Sequence, residues 1–171
     1  MYRAATLSVV LLTTLGCAGP TKIAKLDQPP PRGQSLAHWI DRTTSLQSAS
    51  KLPKAGEDFA MIYDPLRHRI VMFGGKGDDD KNTNDVWTFE LARNRWQQVE
   101  IASEQPPASE DHTLIYDPIG YRMILYGGED GPTWNNTYSF DLKTYQWIDL
   151  TDSTAPIRED HTAIYDSKGK R

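Results

Sequence analysis

The sequence predicts an all-β fold assembled from repeated four-stranded antiparallel units, and three observations lead there. A nine-residue motif recurs three times. Short strand-forming runs follow the first two copies in the same order. The second run of each unit is apolar throughout. The motif reads EDFAMIYDP (Glu57 to Pro65), EDHTLIYDP (Glu110 to Pro118) and EDHTAIYDS (Glu159 to Ser167), spaced by 53 and 49 residues. Repetition with a period near 50 residues is the signature of propeller blades.

Within each unit the runs are rich in Ile, Val, Phe, Tyr, Trp and Thr and are divided by Gly, Pro, Asn and Asp, which are strand and turn signals. The first run ends in Asp-Pro, a turn former. Next come RIVMFGG (Arg69 to Gly75) and RMILYGG (Arg122 to Gly128). A strand wet on one face alternates, so the unbroken apolar runs IVMF and MILY are expected to be covered on both faces, as neighbouring blades cover one another in a propeller. The paired glycines end these strands where a side chain would obstruct the backbone. The third runs are NDVWTFEL (Asn84 to Leu91) and NNTYSFDL (Asn135 to Leu142), and the fourth carry Trp96 and Trp147.

The diglycine, the aromatic after it and the later tryptophan resemble the Kelch repeat. The likeness implies a Kelch-type β-propeller: a complete blade over 57–100, another over 110–150, and the first strand of a third over 159–171. His112 and His161 match the family's histidine, which implies a framework role rather than a metal site; Phe59 replaces it in the first copy. Trp39-Ile40-Asp41 copies Trp147-Ile148-Asp149, so residues from 36 onward are read as part of the propeller. They form either a fourth strand that closes a ring or a short linker helix. Arg171 stands where an apolar second strand should begin, which reads as a piece of a longer propeller. Such a piece lacks neighbours for its end blades and is expected to be marginal alone.

The N-terminus is different in kind. Arg3 precedes Ala4 to Leu15, an uncharged run too short to span a bilayer as a helix. A basic tip, a short apolar core and a small residue describe a secretory signal over 1–16. Thr14-Leu15-Gly16-Cys17 resembles the lipobox of bacterial lipoproteins, with Thr14 where that family prefers leucine. The resemblance implies a diacylglyceryl group on Cys17, the only cysteine. Residues 17–35, with Pro29-Pro30-Pro31, read as an extended polar tether. The expected location is the bacterial cell envelope, with the membrane reached only through the lipid.

With 19 basic and 23 acidic residues the chain has a net charge of −4, which argues against nucleic acid as a partner. The charges are also sorted. A meander of strands puts the loops entering first strands and following diglycines on one side, which gathers Glu57, Asp58, Asp78, Asp79, Asp80, Glu110, Asp111, Glu129, Asp130, Glu159 and Asp160. The opposite side gathers Arg67, Arg69, Arg93, Arg95, Arg122, Lys143, Lys168 and Lys170. Trp134 falls in the acidic loops at a place the repeat does not require, so with Glu129, Asp130, Asp78, Asp79, Asp80, Glu110 and Asp111 it is a candidate binding residue. Asp78, Asp80, Asn82 and Asn84 alternate like calcium ligands, yet Thr83 occupies the place of the essential glycine and Phe89 that of the closing glutamate.

No phosphate loop and no serine–histidine–acid spacing appears, and no cofactor or metal is expected. The leading function is a protein-binding or scaffolding module with a basic partner; a carbohydrate ligand is a further option. An oxidoreductase, isomerase or lyase site of the kind some Kelch-like propellers carry is the competing class. Because the N-terminal pattern predicts an anchor, metabolic labelling with a fatty-acid analogue should mark the wild type and leave Cys17→Ser unmarked. Equal labelling of both would remove the lipoprotein assignment.

Overall fold

The computed structural model describes residues 51–170. The Cys17 region, the tether and the Trp39 motif lie outside the described residues. The first unit contains β2 (Ala60–Asp64), β3 (Arg69–Phe73), β5 (Val86–Glu90) and β6 (Arg95–Gln98), paired antiparallel in the order β2-β3-β5-β6. The second contains β7 (Thr113–Asp117), β8 (Arg122–Tyr126), β9 (Thr137–Asp141) and β10 (Trp147–Asp149), paired in the same meander. These are the two expected blades. An addition that the repeat did not announce is a small sheet of β1 (Ala55–Glu57) with β4 (Lys76–Gly77), before and after the first two strands of unit one.

The repeat motifs take equivalent places in both sheets. Phe89 pairs with Trp96 across β5 and β6, and Phe140 pairs with Trp147 across β9 and β10. Their rings lie 5.1 Å and 4.7 Å apart, in the range where aromatic pairs attract beyond simple burial. Ile62, Val71, Phe73 and Val86 of the first unit pack against Met123, Leu125, Phe140, Leu142 and Trp147 of the second. The Phe73 ring meets the edge of Trp147 at 5.0 Å.

Double cover holds for most of β3, where Val71, Met72 and Phe73 are buried and Ile70 is half-covered. In β8 only Met123 and Leu125 are buried, and Ile124 and Tyr126 remain half-covered. Among the described residues the third copy lies beside the second face of β8, with His161 against Tyr126 at 5.3 Å. That copy forms no strand. Its turn is nevertheless made: the N–H groups of Lys168 and Gly169 both donate to the Asp166 carboxylate at 3.0 Å. The same turn sits on Asp64 and Asp117. A turn closed by a side chain two residues away is local, whereas a strand needs a ladder partner.

The seam between units runs through the diglycines. Gly74 has φ +65 and Gly128 has φ +96. A Cβ on Gly74 would lie 2.6 Å from the His112 ring, and one on Gly128 would lie 2.7 Å from the Glu110 carbonyl oxygen. Both conformation and space therefore exclude a side chain. Gly131 shares the conformation at φ +86 but has nothing within 4 Å of an added Cβ. Gly131→Ala should cost about 1 kcal/mol from backbone strain alone. Gly128→Ala should cost about 1 kcal/mol or more beyond that, because the backbone of the loop entering β7 in the same unit must shift. Urea unfolding of the two variants measures the difference, and equal losses would show that the close approach contributes nothing.

Candidate functional site

The loops that enter β2, β7 and the third copy turn the same way. Asp58, Asp111 and Asp160 all have left-handed backbones, with φ of 53, 56 and 49. The N–H of Asp111 donates to the Asp58 carbonyl and the N–H of Asp160 donates to the Asp111 carbonyl, each at 3.2 Å. Successive repeats are thus linked through equivalent aspartates, and their side chains are brought together. Carboxylate oxygens of Asp58, Glu110 and Asp111 lie within 4.8 Å of one another. Among the described residues this is the only group of three His, Cys, Asp or Glu side chains spaced closely enough to hold a cation.

Glu110 and Glu129 exchange backbone hydrogen bonds at 3.0 Å in both directions, which draws the loop after β8 into the same cluster. The Glu129 and Glu159 carboxyls share a hydrogen bond, and that interaction raises the pKa of Glu129. Asp111 is pushed up to about 6, chiefly by burial and then by Asp160, Asp58 and Glu110. Lys76 offsets part of the charge by pairing with Glu110 at 3.4 Å, which raises the pKa of the lysine.

The remaining sequence candidates are distributed around this cluster. Asp130 accepts a hydrogen bond at 3.1 Å from the Asn82 amide, which also donates to the Glu129 carbonyl. Asp78, Asp79 and Asp80 form an exposed tip after β4, where Lys81 lies 3.9 Å from Asp79. The calcium pattern does not assemble, because Asn82 bridges to the second unit and Asn84 donates to the Pro106 carbonyl at 3.1 Å. Trp134 is half-buried. Its N–H donates to the Gly128 carbonyl, and its own carbonyl accepts from Arg158, so the residue ties the second unit to the third copy.

The histidines behave as framework. His112 is buried with Nε2 3.2 Å from the Phe73 carbonyl, which can only accept, so Nε2 carries the proton. Burial lowers its pKa to about 4, and the ring is neutral at physiological pH. His161 reaches the Thr113 hydroxyl at 2.9 Å.

The basic side is less available than the sequence implies. Arg69 is buried against Asp64 at 2.9 Å, Arg122 pairs with Asp117 at 2.8 Å, and Arg93 and Arg95 share Glu90. Sequence reasoning missed this because the acids that hold the arginines belong to the strands, not to the loops it compared.

The acidic cluster has a consequence for stability. An aspartate whose folded pKa exceeds its unfolded value of about 3.9 carries an energetic cost that is full above the folded pKa. For Asp111 that cost is relieved as the pH falls from about 6 toward about 4. Buried His112 acts in the opposite sense, because its lowered pKa makes the fold lose stability as the pH falls below about 6.5, so the Asp111 contribution is read as the difference between variant and wild type. Asp111→Asn should melt higher than the wild type at about pH 7.5, and this advantage should shrink toward pH 5. An unchanged pH profile in the variant would mean that Asp111 is not the residue responsible.

Comparison with known families accounts for the repeat. The model described as the KLHDC2/KLHL20/DRC7 Kelch-repeats domain matches residues 27–169. Among curated proteins, dynein regulatory complex subunit 7 of Chlamydomonas reinhardtii is 30% identical over 79 residues, which is 44% of this chain and 7% of that protein. The chain thus corresponds to a small part of that relative's length. With its four-stranded blades, glycine seams and inter-unit histidine in place, the chain belongs to the Kelch-repeat family.

Proposed function

We propose that this chain is a protein-interaction module whose acidic side docks a basic segment of a partner protein. Kelch repeats are a protein-interaction architecture, which supports binding as the general role. The observation that carries the finer assignment is the row of Asp58, Asp111 and Asp160, linked backbone to backbone and crowded by Glu110, Glu129 and Glu159. Burial is the first cause of the raised Asp111 pKa, and the neighbouring carboxylates add repulsion to it that lysines or arginines of a partner relieve. Trp134 adds half-exposed apolar area at the rim of the same side. The relative's printed name makes that protein a subunit of a complex, which agrees with an assembly role.

We also propose that the module is exported and held at the cell envelope by lipid on Cys17. The short apolar run before the cysteine and the proline-containing segment after it support this. The family match begins only at residue 27.

A fluorescent octalysine peptide provides the test, by anisotropy at low and physiological salt. Asp111→Asn with Asp160→Asn should weaken binding by about 1 kcal/mol. The exposed pair Glu100→Gln with Glu104→Gln removes the same charge elsewhere and should leave affinity nearly unchanged. Equal losses for the two double variants would reduce the interaction to net charge and overturn the assigned surface.

A further inference from the structure

The turn between β2 and β3 differs from its counterparts at one position. Arg67 stands where the second copy has Gly120 and the third has Gly169. The turn itself does not require arginine, since Asp117 and Asp166 close the same turn onto those glycines. In the first unit the guanidinium crosses the seam. Its Nη1 donates to the Leu142 carbonyl and lies 3.5 Å from the Tyr145 hydroxyl. The group sits 5.8 Å from the centre of the Tyr121 ring and 5.7 Å from that of Tyr145. Two aromatic rings and a carbonyl thus hold an exposed arginine in one orientation. No carboxylate of the described residues lies within ion-pair distance of it, in contrast to Arg69, Arg93, Arg95 and Arg122.

Beside Arg67 an open cleft of about 690 Å³ is lined almost entirely by the first unit, with Arg69, Thr88, Arg93 and Gln97 in its walls, and Tyr145 is its one lining residue from the second unit. This size is within the range of small-molecule sites. Its charge can be counted. Arg69 is neutralised by Asp64 behind it, and Glu90 is shared by Arg93 and Arg95, which leaves one positive charge. Glu100 at the margin offsets that charge, and Arg67 then supplies a net single positive.

We propose that this cleft binds a small organic monocarboxylate, with Arg67 as the principal donor and Arg93 and Gln97 as flanking donors. The guanidinium has five N–H donors in a planar fork suited to a carboxylate. A single net charge matches a monoanion better than a phosphate, which approaches two negative charges at neutral pH. The cleft lies on the opposite side from the acidic cluster and does not depend on the partner proposed there.

Benzoate is the probe. The full 171-residue chain, labelled with nitrogen-15, is titrated at constant ionic strength and followed by its arginine Nε–H and backbone amide resonances. Saturable shifts are expected at Arg67, Thr88, Gln97 and Tyr145. Arg67→Gly installs the residue of the other two copies, so the turn is retained, and it should weaken binding by about tenfold or more. Gln97→Ala should weaken binding without touching the turn, and a well-dispersed spectrum checks the fold of each variant. N-acetylglutamate amide, a small monocarboxylate of the side-chain type, extends the test: binding comparable to benzoate is expected if the carboxylate is the recognised group. Three other outcomes overturn the site itself: no saturable shift, unchanged affinity in Arg67→Gly, or equal shifts with inorganic phosphate, which would indicate an adventitious ion only.

Discussion

Close approach of one blade to the next, at a backbone with no side chain in the way, is the constraint on which the rest of the structure depends. At Gly74 the chain comes near enough to the second unit for His112 to reach the Phe73 carbonyl and for the N–H of Gly75 to donate to Ser109. The same geometry returns at Gly128, whose N–H donates to the Arg158 carbonyl. Only at this spacing do Val71 and Phe73 bury themselves against Met123 and Trp147. A single four-stranded sheet cannot cover its own apolar face, so stability in such arrays resides largely at the interfaces. The neutral, buried His112 suits the seam because it satisfies a carbonyl without carrying a charge into the core.

The other end of the seam is closed by a buried charge. Asp64 is fully buried and accepts from Arg69, from the Tyr121 hydroxyl and from two N–H groups of its own turn. Removing one partner of such a network strands the other, a larger penalty than the pair's net contribution. Asp117 repeats the arrangement with Arg122, but there the arginine side chain is 42% exposed. The difference follows from the neighbour: Tyr121 covers Asp64, and the third copy carries Lys170 at the equivalent position. The two sides of the molecule therefore differ in kind. Most arginines on the basic side are committed to holding turns and seams. On the acidic side the carboxylates mostly face one another, with Lys76 paired to Glu110.

Much of this was legible in the sequence, because the features involved are local or repeat. Strand composition, Asp turns, diglycines and the later tryptophans each report a backbone requirement that recurs in every blade, and both blades form as expected. The acidic side was legible as well, since a meander alone determines which loops share a side. The third copy marks the limit. Its residues match the motif as closely as the others, yet it forms a turn and no strand, because a ladder needs a partner that no local propensity supplies.

What the sequence by itself determined is the blade: which residues pair, where each strand ends, and which side each loop occupies. The tertiary structure alone decided how groups from different blades meet. It joined Asp58, Asp111 and Asp160 into one hydrogen-bonded row, where burial and then like-charge crowding raise the pKa of Asp111. It turned Asn82 and Asn84 away from a calcium-like arrangement toward other loops. It also separated Arg69, buried on an aspartate, from Arg67, held over two tyrosines beside a cleft. The physical reason is distance along the chain. Pairing and turns depend on neighbours a few residues away, whereas burial, like-charge crowding and ring contacts depend on groups some 50 to 80 residues apart, brought together only when one blade packs on the next.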